Sequence, residues 1–157
     1  MRTDSYDVSL QLVSPRAIAA VRVHVAASLV SSVFRDALDQ VYDAGRRGVV
    51  QLDGQNIFVY RPVSGAAAEL DVEFGVGITA PFAGAGSVQP AMTPAGDAAH
   101  AVHWGDYGAL AAAHEAIVAW CRSNGHRLAG PRWEVYGHWR AESTPRTDVY
   151  YLLAQDT

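Results

Sequence analysis

The chain follows one pattern twice. His24 before a helical segment is matched by His103 before a second, and Gly45 is matched by Gly125. Val59-Tyr60 is matched by Val135-Tyr136, and Asp71-Val72 by Asp148-Val149, each pair about eighty positions apart. Two copies are too few for a solenoid, in which stacked units bury a continuous core. The duplication therefore predicts an α+β domain of two pseudo-twofold-related strand-strand-helix-strand-strand repeats with a groove between them.

Hydrophobic periodicity sets the expected elements. Residues 6–13 alternate apolar and polar positions and read as a half-buried strand that Pro15 breaks. Residues 17–25 read as a second strand. Leu29, Val30, Val33, Phe34, Ala37, Leu38 and Val41 then recur at helical spacing up to Gly45. Residues 57–60 and 70–79 form the next strand pair, joined by a turn at Pro62-Val63-Ser64-Gly65. Residues 81–96 are rich in Ala, Gly and Pro and read as a linker with at most a short strand around 87–92. In the second copy residues 98–104 form a strand. Asp106 caps a helix carrying Leu110, Ala113, Ile117 and Cys121 on one face, and Asn124-Gly125 stops it. Residues 133–140 and 147–153 complete the pattern. All 157 residues are expected to form one domain, with repeat one at about 6–79, the linker at about 80–96 and repeat two at about 97–154.

Chemistry concentrates in Gly130-Pro131-Arg132-Trp133-Glu134-Val135-Tyr136-Gly137-His138-Trp139. A Gly-Pro turn opens a strand whose alternation puts Trp133, Val135, Gly137 and Trp139 on one face and Glu134, Tyr136 and His138 on the other. A carboxylate among aromatic rings is costly to bury without a donor or a cation. The first copy has Phe58 where the second has Glu134, so a groove between the copies would be rimmed by Phe58, Tyr60 and Tyr136, with a single acid at one side. Trp104 and Tyr107, at the start of the second helix, join this candidate ligand group. Trp133 shares a face with Val135 and is assigned to the core.

Several function classes are set aside. A net charge of −4, with all twelve basic residues Arg and scattered, offers no phosphate-binding face, so nucleic acid is not an expected partner. No apolar run is long enough to cross a bilayer, and no signal-peptide core precedes residue 6, so a cytoplasmic location is expected. His100 and His103 are three apart, which puts them on opposite faces of a strand, and His114-Glu115 lacks the second His of a zinc-protease helix. No metal or other cofactor is expected. There is no G-x-S-x-G elbow, and Gly84-Ala85-Gly86-Ser87 leads into Pro90 rather than a helix. Cys121 falls on the apolar helix face as a core residue.

Four fragments in order carry a resemblance: Trp104-Gly105-Asp106-Tyr107 after a strand, Trp120-Cys121-Arg122-Ser123-Asn124-Gly125 ending a helix, Gly130 to Tyr136, and Thr147-Asp148-Val149-Tyr150-Tyr151-Leu152. From about residue 6 to 153 the chain resembles the GyrI-like small-molecule-binding domain, also found as the effector-binding domain of AraC-type and multidrug-sensing transcription activators. The resemblance implies a pseudo-twofold α+β fold, a ligand cleft with aromatic walls, and a central acid at Glu134. It implies ligands that are bulky, aromatic and often cationic. One branch of the family hydrolyses cyclopropane-bearing DNA alkylators and another protects DNA gyrase. Only about five residues stand before the first strand, so no helix-turn-helix fits there and a stand-alone binding domain is expected.

Two functions from different classes follow. In the first the chain sequesters a hydrophobic xenobiotic or antibiotic, with Glu134, Tyr136, Trp104, Tyr107, Phe58, Tyr60 and His138 as ligand contacts. In the second it hydrolyses a strained electrophile, with Glu134 acting as general base or positioning the water and Tyr107 or Tyr136 donating a hydrogen bond to the developing phenolate. Gyrase protection is a third reading and requires a protein partner.

Overall fold

The computed structural model describes residues 6–63, 68–138 and 144–155. In chain order the elements are β1 (Ser9–Val13), β2 (Ala17–Ala26), α1 (Val30–Arg46), β3 (Leu52–Pro62), β4 (Glu69–Ile78), β5 (Val88–Met92), β6 (Gly96–Trp104), α2 (Leu110–Ser123), β7 (Leu128–Tyr136) and β8 (Arg146–Leu153). Every described strand pairing is antiparallel, so the chain is α+β, as expected.

The chain divides into two compact units. One spans residues 15–93, and the other combines residues up to 14 with those from 94 onward. In the first unit the strands lie in the order β3-β4-β2-β5, and in the second the order β7-β8-β6-β1 repeats it element for element. The outermost strand of each unit departs from the expected grouping. β1 was grouped with the first repeat but pairs with β6, Ser9 opposite His100. β5, inside the expected linker, pairs with β2, Val21 opposite Val88. The connections Ser14-Pro15-Arg16 and Thr93-Pro94-Ala95 explain this. Each is centred on proline and lacks the Gly or Asn of a tight hairpin, so the chain runs on instead of folding back. Arg16 N–H donates to Thr93 Oγ1 at 2.8 Å and Thr93 N–H to Arg16 O at 2.9 Å.

α2 buries the stripe its spacing predicts, whereas of the stripe expected for α1 only Ala37 and Val41 are buried and Leu29 is exposed. α1 buries Ala37, Val41 and Ala44, and α2 buries Leu110, Ala113, Ile117 and Cys121. α2 ends at Gly125, whose φ of 74° lets His126 N–H reach back to Cys121 O at 2.9 Å. α1 ends differently from expectation. Gly45 lies within its last turn, where an added Cβ would stand 2.7 Å from Leu52, and the left-handed residue is Gly48. β3 and β7 are longer than the spans expected for them, and each carries a register shift near a positive-φ glycine, Gly54 or Gly130. Gly130-Pro131, expected to open β7, therefore sits at a bulge inside it. Ser64, Gly65, Trp139 and Arg140 lie outside the described residues.

Beneath α2 the core is Ala99, Ala101, Val149, Tyr151 and Leu153, with Tyr6, Val8 and Tyr136 packed against it. This sheet face holds the candidate site.

Candidate functional site

Register explains how Glu134 comes to lie under α2. Residues opposite one another in an antiparallel pair share a face, and Glu134 stands opposite Val149, which stands opposite Ala101. That face carries the core under the helix. The Glu134 side chain is therefore carried into the helix–sheet interface, where it is 5% exposed.

A carboxylate placed there requires donors. Tyr136 O–H donates to Glu134 Oε1 at 2.5 Å, and His114 Nε2 lies 2.6 Å from Glu134 Oε2. The other ring nitrogen of His114, Nδ1, is 2.7 Å from the Tyr151 hydroxyl. Burial, opposed by Arg132 and reinforced by Glu134, pushes the Tyr151 phenol up to about 12. Tyr151 is thus a hydroxyl donor over the whole neutral range. A hydrogen-bonded chain results: Tyr151 to His114 to Glu134, with Tyr136 closing on the second carboxylate oxygen.

Around this chain the rings are arranged edge to face. Tyr107, 45% exposed in the 3-10 turn before α2, meets the Tyr136 ring at 5.6 Å and 87°. His103 lies on the same sheet face, with Nδ1 2.9 Å from the Tyr6 hydroxyl and Nε2 donating to the Asp106 carbonyl at 2.9 Å. Between His103 and Tyr136 in register stands Thr147. Its Oγ1 is buried and has no hydrogen-bond partner among the described residues.

Of the predicted group, Glu134, Tyr136 and Tyr107 come together. Trp104 does not: it pairs with Arg146, whose parity along β8 is that of Asp148 and Tyr150, so it points to the face opposite Glu134. It is 59% exposed, with the Arg146 guanidinium 5.6 Å above its ring. Phe58 lies in the other unit and is buried between Phe34 and Phe74, at centroid distances of 6.1 and 5.0 Å. Tyr60 is half-buried in that unit opposite Val72, and His138 is exposed just beyond β7. Trp133 is buried as expected, stacked on Tyr150 at 5.0 Å and 10°. Asp148 takes the face opposite Glu134 and is held by His100 Nε2 at 2.7 Å and Arg146 Nε at 2.8 Å. Its carboxyl falls below the ordinary range because these two partners outweigh the opposing effect of burial. Cys121 is a core thiol raised by burial. Among the described residues no group of three or more His, Cys, Asp or Glu side chains is placed to hold a metal ion. No helix among them is long and apolar enough to cross a membrane.

Sequence reasoning missed His114 and Tyr151 as partners of Glu134. Their signals are faint: His114 follows Leu110 by four residues and borders the apolar stripe, and Tyr151 alternates with Val149 and Leu153.

The site is thus a buried carboxylate beside tyrosine rings on an antiparallel sheet covered by a helix. The chain belongs to the GyrI-like small molecule binding domain family, whose profile matches residues 7–153. Among solved structures it is similar to the EcmrR C-terminal domain, with 17% identity, a TM-score of 0.74, and coverage of 96% of this chain and 99% of that one. It is also similar to EcmrR in a complex with DNA (18% identity, TM-score 0.76), where 96% of this chain matches 58% of that one. SAV2435 bound to tetraphenylphosphonium aligns over 94% of both chains at 9% identity and a TM-score of 0.62. At these identities the likenesses establish the fold. No curated protein matches the chain as a relative.

Proposed function

We propose that the chain binds a bulky aromatic, cationic small molecule through Glu134, Tyr136 and Tyr107, as a xenobiotic- or antibiotic-sequestering module. The observation that carries this reading is the Glu134 carboxylate, 5% exposed and linked through Tyr136 to the half-exposed ring of Tyr107. Tyrosine faces attract an organic cation, and a carboxylate in a low-dielectric setting supplies its counter-charge. Thr147 Oγ1, buried on the same face without a partner among the described residues, adds a polar group for a ligand to satisfy. SAV2435, which shares the fold, is bound to tetraphenylphosphonium, a cation of this class.

Titration calorimetry with tetraphenylphosphonium and with neutral triphenylphosphine oxide tests the reading. Binding of the cation, with the neutral compound at least tenfold weaker, is the expected result; equal affinity for both, or binding of neither, would contradict it.

A second reading is supported by the Glu134–His114 hydrogen bond, a carboxylate–imidazole pair of the kind that positions a proton acceptor. On that reading the chain hydrolyses a cyclopropane-bearing electrophile: water activated at Glu134 adds to a ring carbon as the ring C–C bond breaks, and Tyr136 turns its hydroxyl to the phenolate that develops. Product formation at catalytic yield, followed by mass spectrometry, separates hydrolysis from sequestration. Gyrase protection has no such observation behind it.

A further inference from the structure

We propose that the chain associates with a second copy of itself through β1, whose outer edge pairs antiparallel with the same strand of the other copy about a twofold axis at Gln11.

The outermost strands of the two units differ in kind. β5 ends one unit with Val88-Gln89-Pro90-Ala91-Met92, and Pro90 at its centre has no N–H to give a further strand. β1 ends the other with Ser9-Leu10-Gln11-Leu12-Val13, and among the described residues it pairs with β6 alone. Edge strands resist the addition of another strand through proline, charge or a bulge. β1 has none of these: its five residues are uncharged, and its register with β6 runs unbroken from Ser9 opposite His100 to Val13 opposite Gly96. Leu10 stands opposite Ala99, which puts both leucines, by alternation, on the sheet face that carries the core under α2. They nevertheless lie outside that core, Leu10 53% and Leu12 83% exposed.

The sequence of β1 selects a copy of itself as the partner. In an antiparallel pairing centred on Gln11, Leu10 of each chain faces Leu12 of the other, so four leucines meet on one face. Gln11 faces Gln11 on the opposite face, where its Nε2 also lies 3.0 Å from His100 Nδ1 of its own chain. Further out, Asp7 comes opposite Pro15 and Tyr6 opposite Arg16, so no like charges are set against each other. A slip of one residue would place leucine opposite glutamine and is disfavoured. The interface is isologous and closes at two chains, because each β1 is then occupied and β5 is blocked by Pro90. Main-chain hydrogen bonds and four leucines make a small interface, so the dimer forms in a concentration-dependent way.

Sedimentation velocity of the full chain over a concentration series tests the proposal. The wild type should pass from the 16.8 kDa chain to twice that mass as concentration rises. Combining Leu10→Lys with Leu12→Lys sets like charges opposite each other across the axis and should raise the dimer Kd at least about tenfold. Combining Leu10→Glu with Leu12→Lys sets unlike charges opposite each other in this register and should associate at least about tenfold more tightly than the first variant. Asp97, opposite Leu12 on β6, favours lysine at that position in both variants, so they differ only at position 10. A wild type that stays monomeric at every concentration overturns the proposal, as does a dimer that survives both lysines. A charge-complementary variant as weak as the first overturns the register, and growth beyond two chains overturns the twofold closure. Hydrogen exchange of the wild type gives a check that depends on no variant: amides of residues 9–13 should gain protection as the dimer forms, and protection there that does not change would place the interface elsewhere.

Discussion

His114 on α2 and Glu134 on β7 meet at 2.6 Å across the helix–sheet interface, where the other unit has Phe34 on α1 and Phe58 on β3 meeting ring to ring at 6.1 Å. The two pairs lie on a helix and a strand at the same place in the strand order of each unit. One unit fills this interface with apolar rings, and the other fills it with a carboxylate and its hydrogen-bond partners. An apolar pair stabilises by burial alone, whereas the polar pair requires every donor and acceptor to be matched.

Tyr107 and Trp104 should separate cleanly on substitution. Tyr107→Ala removes the half-exposed ring against Tyr136 and should weaken tetraphenylphosphonium binding by about 1–2 kcal/mol, the scale of an aromatic or cation–π contact. Trp104→Ala, on the opposite sheet face with Arg146, should leave affinity unchanged. Fluorescence or calorimetric titration of both variants checks this, and a larger loss from Trp104→Ala would move the site to the other face.

Alkaline stability should report Tyr151. Its phenol is raised to about 12 in the folded chain, above the value of about 10 expected when unfolded. Its contribution is therefore fully present below about pH 10 and is lost as pH rises toward 12, on the order of 2 kcal/mol in all. Urea midpoints between pH 9 and 12 should fall in the wild type and flatten in Tyr151→Phe.

Asp148 should act at the other end of the scale. Its carboxyl is lowered in the folded state by His100 and Arg146, so its contribution is present above about pH 4 and is lost as pH falls below that. Asp148→Asn should cost about 1–3 kcal/mol at neutral pH, because a buried charged hydrogen-bond acceptor is removed. Thermal melts at pH 7 and pH 3 should then differ less in the variant than in the wild type.

Gly125 closes α2 with φ at 74°, a conformation L residues adopt at a cost. Gly125→Ala should lower stability by about 1 kcal/mol, read as a shift in urea midpoint with an unchanged slope.

Much of this was legible because it depends on local spacing. The α2 stripe of Leu110, Ala113, Ile117 and Cys121 is observed as read. Strand alternation also put Glu134 and Tyr136 on one face. Pairing was not legible, since Pro15 and Pro94 announce a break without saying which distant strand the chain joins next. Trp104 was misplaced for the same reason: its face depends on the β6–β8 register, which sets it against Arg146. The His114–Glu134 contact spans a helix and a strand docked through the whole core, and no periodicity in either segment encodes it.

Tetraphenylphosphonium affinity of Glu134→Gln, measured beside the wild type at pH 7.5 with thermal melts of both, bears most directly on the central claim. Gln keeps the shape and a hydrogen-bond acceptor but removes the charge. With the fold intact, the variant should lose on the order of 2 kcal/mol or more of cation binding and hardly change toward triphenylphosphine oxide. Unchanged cation affinity in a folded Glu134→Gln protein would contradict the assignment of Glu134 as the counter-charge of the ligand.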